Sequence, residues 1–287
     1  MRSFNQLLHA QWRAGRVLCI ALDPVPGKIP PHITLNAPEC GEASLVFNTE
    51  IIDATADFAA AYKLNSAYYE AMGRTGWNAL VRTVGYIQGR YPRIPIILDA
   101  KRGDVLHTSE RYAEAAFKRI GVDAVTVHPY CGRASLEPFL SRPDKGVFVL
   151  CRTSDDSALQ TMLVQSPYAK KPIPFFAHVA HDVAAQWNQN GNCGLVVGAT
   201  HAADILTADL ASGNSLPLLV PGAGAQGADL REALRPLPFS STRKFLLVSG
   251  RSIIYASPDR DFALKAHEAA HRLHNEVHTH LAGFLCG

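Results

Sequence analysis

The chain has 287 residues, 47% of them apolar and 18% charged, which excludes an intrinsically disordered polypeptide. With 28 Lys+Arg against 25 Asp+Glu the net charge is +3, too balanced for a duplex-sized nucleic-acid footprint or a polybasic membrane contact. No apolar run approaches roughly 18 residues, and the opening MRSFNQLLHAQWRAGR is interrupted by His9, Gln11 and Arg13, unlike a signal peptide, so a cytoplasmic protein is expected.

Eight short, near-continuously apolar runs recur along the chain. Such runs suit strands covered on both faces in a parallel sheet. An amino-terminal helix precedes the first, Val17–Asp23. The stretch Pro24–Gly41 carries five prolines and cannot form a regular helix or a central strand. A helix over Ala43–Phe58 leads to strand Ala60–Asn65, and a helix over Ser66–Arg90 to strand Ile94–Lys101. Leu106–Ile120 has helical spacing, with Thr108 or Ser109 available to cap its first turn. Strand Ala124–His128, a shorter helical segment Gly132–Leu140 and strand Gly146–Thr153 follow, then a polar, proline-bearing loop, Asp155–Pro174. Helix Phe175–Gln189, strand Gly194–Ala199, helix His201–Ala211 and strand Leu216–Pro221 continue the alternation. A short helix Ala228–Leu234, strand Phe245–Gly250 and a helix over Asp259–Leu281 complete it.

Eight β-then-α units favour a closed (β/α)8 barrel over a doubly wound sheet, although six of the strands would also fit the latter. Nothing resembles a linker, so residues 1–287 read as a single barrel domain with an N-terminal helix. The long loops follow strands one and five, at the strand C-termini where such barrels place their active sites.

Charge falls at those same strand ends: Asp23, then Lys63 and Asn65, Asp99 and Lys101 with Asp104 beyond, His128, Arg152-Thr153-Ser154, and Ser249-Gly250-Arg251. Charges ending buried strands are costly unless paired, so they should converge on one mouth. Asp99 and Lys101 lie two apart and face the same way. An Asp–Lys–Asp array with Lys63 nearby would hold a lysine ready to deliver a proton; an ion-pair network that merely closes the barrel is the competing reading.

Gly222, Gly224 and Gly227 match G-x-G-x-x-G. They follow the seventh strand and lack a downstream acidic partner, so a phosphate cradle completed by Arg251 fits better than a dinucleotide fingerprint. His267, His271, His274 and His278 share one helical face outside the barrel. No Glu follows the first of them, and a solvated or partner-facing stripe is favoured over a metal site. The six cysteines, Cys19, Cys40, Cys131, Cys151, Cys193 and Cys286, form no C-x-x-C pair and read as reduced, structural thiols.

The segments LCIALDP (18–24), AYKLNSAYYEAMG (61–73), LDAKRGD (98–104), VLCRTS (149–154), VVGAT (196–200), VPGAGAQG (220–227) and VSGRSIIYA (248–256) resemble orotidine 5′-phosphate decarboxylase, more narrowly its longer bacterial subfamily. The resemblance implies a (β/α)8 homodimer that converts orotidine 5′-monophosphate to uridine 5′-monophosphate and carbon dioxide without metal or organic cofactor. It implies a charged array of Lys63, Asp99, Lys101 and Asp104, with Lys101 protonating C6 of the pyrimidine. Asp104 and Thr108 would be contributed across the dimer, Asp23 and Lys63 would hold the ribose hydroxyls, and Ser154 would meet the pyrimidine amide edge. Gln226, Gly250 and Arg251 would surround the phosphate. The chain departs from the subfamily at Asp155-Asp156-Ser157, where Pro-Gly is usual, at Leu64 in place of Pro, and at His128 in place of Asn. Two alternatives stay open: a sister enzyme using magnesium and an enediolate on a sugar phosphate, and a non-catalytic nucleotide-phosphate binder.

Overall fold

The computed structural model describes residues 2–154, 158–200, 202–222, 234 and 244–283. Eight strands close a parallel barrel: β1 (Leu18–Ala21), β2 (Ala59–Asn65), β3 (Ile96–Arg102), β4 (Ala124–Val127), β5 (Gly146–Arg152), β6 (Cys193–Val197), β7 (Leu218–Pro221) and β8 (Phe245–Ser249). Each pairs with its neighbours in sequence, and β8 returns to β1 with Cys19 opposite Val248. The predicted strands are all present, with ends that differ by one or two residues.

The strands separate two apolar layers. Tyr62, Leu64, Val125, Val147 and Leu247 point outward into the layer beneath the helices. Cys19, Ala61, Ile97, Ala124, Phe148 and Leu246 fill the barrel interior. Continuing each inward-facing series toward the strand C-terminus brings up Asp23, Lys63, Asp99 and Thr126. This two-residue parity carries the barrel from an apolar floor to a polar mouth.

The floor is closed by the N-terminal helix α1 (Phe4–Arg13). Phe4 and Leu8 enter the interior cluster, and the Phe4 ring meets Phe148 edge-on with centroids 5.8 Å apart. Gly146 makes this possible, because a Cβ there would overlap the Phe4 ring. Just before the helix, Arg2 donates to both oxygens of the buried Asp123 at 2.6 and 2.8 Å.

Several elements differ from the sequence-based expectations. The helix predicted over Ser66–Arg90 divides into Ser66–Glu70 and Gly73–Arg90, with Gly73, the first residue of the second, at φ +63, a conformation glycine adopts freely. The proline-rich stretch contains helical turns at Pro26–Lys28 and Pro31–Thr34, each with proline in the first turn, where its missing N–H is no loss. The helix expected from Ala43 begins at Cys40 and ends at Thr55. Leu106–Glu114 and Phe175–Asp182 each continue into a π-helical turn. The loop after β5 includes a turn at Ala158–Thr161 and a two-residue antiparallel ladder joining Leu163–Val164 to Ile173–Pro174. The short helix expected over 228–234 lies outside the described residues except for Leu234, which is buried.

Candidate active site

Three neighbouring strands, β1 to β3, lead into the lysine–carboxylate groups of the mouth, and the register of the sheet decides which side chains meet. Asn65 on β2 pairs with Asp99 on β3, so the lysine two residues before Asn65 reaches across to that carboxylate. Lys63 Nζ donates to Asp99 Oδ2 at 3.0 Å and stands 3.6 Å from Asp23 Oδ2. Lys101 Nζ donates to Asp99 Oδ1 at 2.7 Å. Asp23 in turn accepts from the Asn65 backbone N–H at 3.0 Å. The result is an alternating chain, Asp23–Lys63–Asp99–Lys101.

The alternation sets the protonation states. Burial opposes ionisation of Asp99, but the attraction of Lys63 and then Lys101, with their hydrogen bonds, outweighs it and holds the carboxyl well below its ordinary value. Burial likewise opposes the Lys63 ammonium, and Asp23 and Asp99 overcome it, raising its pKa. Lys63 is 5% exposed, whereas the Lys101 side chain is 46% exposed and free to face a ligand.

A cavity of about 400 Å³ opens above this chain, lined by Asp23, Lys63, Asp99, Lys101, Ser154 and Arg251, with Gly250 and Gly222 at its edge. A larger groove of about 650 Å³ lies at the other end, among α1 and the segment before β3. It holds no lysine–carboxylate set, and the mouth is where the reactive groups converge.

Asp23, Lys63, Asp99, Lys101, Ser154, Gly250 and Arg251 therefore meet as the sequence suggests. Asp104 does not complete the array within the chain. Its carboxylate accepts from the Val105 N–H at 2.7 Å, and among the described residues it makes no ion pair with either lysine. Thr108 sits in the first turn of the following helix, away from the cavity lining. Neither Thr108 nor Ser109 caps that helix; the Ser109 hydroxyl instead donates to the Asp104 carbonyl at 3.0 Å. Arg152 turns away from the mouth and donates to Asp204 at 2.8 Å. The His128 ring packs over Gly103, where a Cβ would come within 2.7 Å of it. Gln226, Gly224, Gly227 and the departure at Asp155-Asp156-Ser157 lie outside the described residues.

One site residue escaped the sequence reading. Thr126, 1% exposed on β4, donates to Asp99 Oδ1 at 2.8 Å and accepts the Lys101 backbone N–H at 3.0 Å. Its parity with Ala124 was the available signal, since both face the interior.

The other candidate clusters behave differently. Among the described residues no three His, Cys, Asp or Glu side chains assemble into a metal-binding group. His267 bonds the Ala54 carbonyl oxygen at 2.8 Å, and Phe58 packs against His267, His271 and His274. Burial pushes the Cys19 and Cys193 thiols up to about 12, so neither is a nucleophile near neutrality. No described helix is long and apolar enough to cross a membrane.

The family profile described as Orotidine 5′-phosphate decarboxylase / HUMPS family matches residues 16–266. An orotidine 5′-phosphate decarboxylase of Janthinobacterium sp. (strain Marseille) is 42% identical over 283 residues, covering 98% of this chain and 100% of the relative. The structure of Leishmania donovani UMP synthase is similar with a TM-score of 0.82 and 35% identity; the match takes in 98% of this chain but 57% of that longer one. Leishmania donovani OMP decarboxylase gives a TM-score of 0.79 at 33% identity, covering 97% of this chain and 98% of the other.

Proposed function

The chain belongs to the orotidine 5′-phosphate decarboxylase / HUMPS family, and on that premise we propose that it converts orotidine 5′-monophosphate to uridine 5′-monophosphate and carbon dioxide in pyrimidine biosynthesis. The observation that carries this reading is the half-exposed Lys101 ammonium held 2.7 Å from Asp99 at the floor of the cavity. Heterolysis of the bond between C6 and the substrate carboxylate releases carbon dioxide and leaves the electron pair on C6. No conjugated sink exists for that pair, so a fixed ammonium beside C6 stabilises the developing charge and then supplies the proton. Asp99 faces the departing carboxylate, and its repulsion is relieved as carbon dioxide leaves.

Binding energy comes from the far end of the substrate. Arg251 and the glycine loop bearing Gln226 grip the phosphate, Gly250 lets the backbone approach, Asp23 and Lys63 hold the ribose hydroxyls, and Ser154 meets the base. The protein acts as a cytoplasmic homodimer of single-domain (β/α)8 subunits, with Asp104 and Thr108 reaching the neighbouring site. Val105 and Leu106 support this, because two apolar side chains 54% and 49% exposed directly follow Asp104.

No metal or organic cofactor enters this chemistry. The magnesium-enediolate alternative would draw on Asp99 as an oxygen ligand, whereas both of its oxygens are occupied by lysine ammoniums and Thr126. The test follows orotidine 5′-monophosphate absorbance with purified protein in EDTA, beside Lys101→Ala. Turnover that persists in EDTA and falls by at least ~10²–10⁴-fold in the variant is expected for a lost general acid. A folded dimer that leaves the substrate untouched, or that needs magnesium, overturns the reading.

A further inference from the structure

Between β3 and β4 the ladder breaks register at the site itself. Leu98 pairs with Val125 and Arg102 with Val127, so Asp99, Ala100 and Lys101 together face the single residue Thr126. A break of this kind removes ladder partners from the longer strand, and each buried backbone N–H there needs another acceptor. Lys101 also has φ +47, the left-handed region a lysine rarely enters and keeps only where its surroundings enforce it.

We propose that the Thr126 hydroxyl is a positioning group that fixes the Asp99–Lys101 pair from beneath. Its one proton goes to Asp99 Oδ1 at 2.8 Å, and its oxygen accepts the Lys101 N–H at 3.0 Å. The Lys101 ammonium bonds that same Asp99 oxygen at 2.7 Å. The contacts close a ring: Lys101 backbone, Thr126 hydroxyl, Asp99 carboxylate, Lys101 ammonium. Both ends of the lysine are thereby referenced to one point on β4. The backbone end sets where the side chain starts, and the carboxylate sets where Nζ finishes. Thr126 is buried beneath Asp99 and does not line the cavity, so it acts on substrate only through those two residues. Proton delivery by a positioned acid depends on angles and distances that a loose lysine would not hold.

The kinetic arm of the test rests on the decarboxylase reading; a second arm does not. Thr126→Val keeps the shape and removes the hydroxyl, and Thr126→Ser keeps the hydroxyl and removes the methyl. With orotidine 5′-monophosphate, T126V is expected to lower kcat by ~10–100-fold while KM moves less than ~3-fold, and T126S to stay within ~3-fold of wild type in both. Independently of substrate, hydrogen exchange at the Lys101 amide, read by NMR, is expected to be at least ~10-fold faster in T126V and protected in T126S. Wild-type protein that fails to turn over the substrate sinks the functional reading, and amide exchange then decides the inference alone. Unchanged kcat in a folded T126V, or unchanged Lys101 exchange, overturns the inference. Should T126V not fold, T126A takes its place: reduced kcat with T126S retained supports the proposal, and equal activity of T126A and wild type refutes it.

Discussion

The strands that present Cys19, Ala61 and Ile97 to one end of the barrel interior present Asp23, Lys63 and Asp99 to the other. At the floor, Phe4, Leu8 and Phe148 exclude water by shape, and Gly146 gives up its side chain so that a ring can enter. At the mouth the inward positions are too polar to pack that way and are held by alternating charge. The floor gains from apolar area removed from water, an effect with little direction. The mouth gains only where each charge has its partner in place, because a buried charge left alone is penalised. The floor therefore depends on shape and buried area, and the mouth on the placement of each charge beside its partner.

The largest effect should follow from breaking the alternation. Asp99→Asn removes the negative charge between two ammoniums and leaves Lys63 with Asp23 at 3.6 Å as its remaining counter-charge. Turnover should be lost, and stability should fall by about 3 kcal/mol, the low end for a broken buried pair because Asp23 still faces the lysine. The sign with pH follows from the depressed carboxyl of the folded state. The wild-type advantage is complete above the ordinary carboxylate value and disappears as pH falls through the lower, folded one. Denaturation of both proteins from pH 7 down to 5 should therefore show a constant gap. A gap that closes near pH 6 would mean that the lysines do not hold Asp99 ionised.

The floor provides the contrasting substitution. Phe4 is 2% exposed, and Phe4→Ala should cost about 3–5 kcal/mol in denaturant unfolding, as for a large side chain removed from a core. It touches nothing at the mouth, so kcat on the folded fraction should match wild type. A lower kcat with unchanged stability would erase the distinction between the two ends.

How much of this could be read from the sequence differs between the same two ends. Lys63 and Asp99 stand out because a charge inside an apolar strand demands a partner, and a strand-end position in a barrel says where the partner is. The floor was legible only in outline: the N-terminal helix was expected, but nothing in its sequence says that Phe4 enters the barrel opposite Gly146. Thr126 was missed because threonine is an ordinary strand residue, and its hydroxyl matters only through a register break that periodicity does not reveal. A similar break in the β5–β6 pairing between Leu150 and Arg152 explains the one mouth residue misplaced on β5. Strict alternation would aim Arg152 inward with Phe148 and Leu150; the shift turns it out to Asp204. Asp104 is a different case. Its place in the motif was clear, but among the described residues its carboxylate pairs with neither lysine, and the role proposed for it needs a second copy, which one chain's pattern cannot supply.

The smallest expected effect concerns acid and the floor. His9 and His274 both have pKa values below the ordinary imidazole value; burial is the main cause for each, followed by Lys244 and Arg13 for His9 and by His278, His271 and Arg16 for His274. Phe58 packs on His274, and the His278 ring lies 4.3 Å from it, so apolar and imidazole groups rather than a charge-compensating partner crowd the ring. A lowered histidine means that the unfolded chain binds the proton more readily. The stability these contacts give is complete above about pH 6.5 and declines as pH falls below it, in the range where the Asp99 pairs are still intact. His9 is exposed and His274 only half-buried, so solvent screens both and the decline should stay under about 1 kcal/mol between pH 7 and 5. Unfolding curves at those two pH values, for wild type and for a His9→Gln, His274→Gln double variant, measure it directly. The variant should lose the smaller part of its stability over that interval while its mouth chemistry is untouched. An equal loss in both proteins would place the acid sensitivity elsewhere in the barrel, and a loss of turnover that precedes any loss of stability would place it at the mouth.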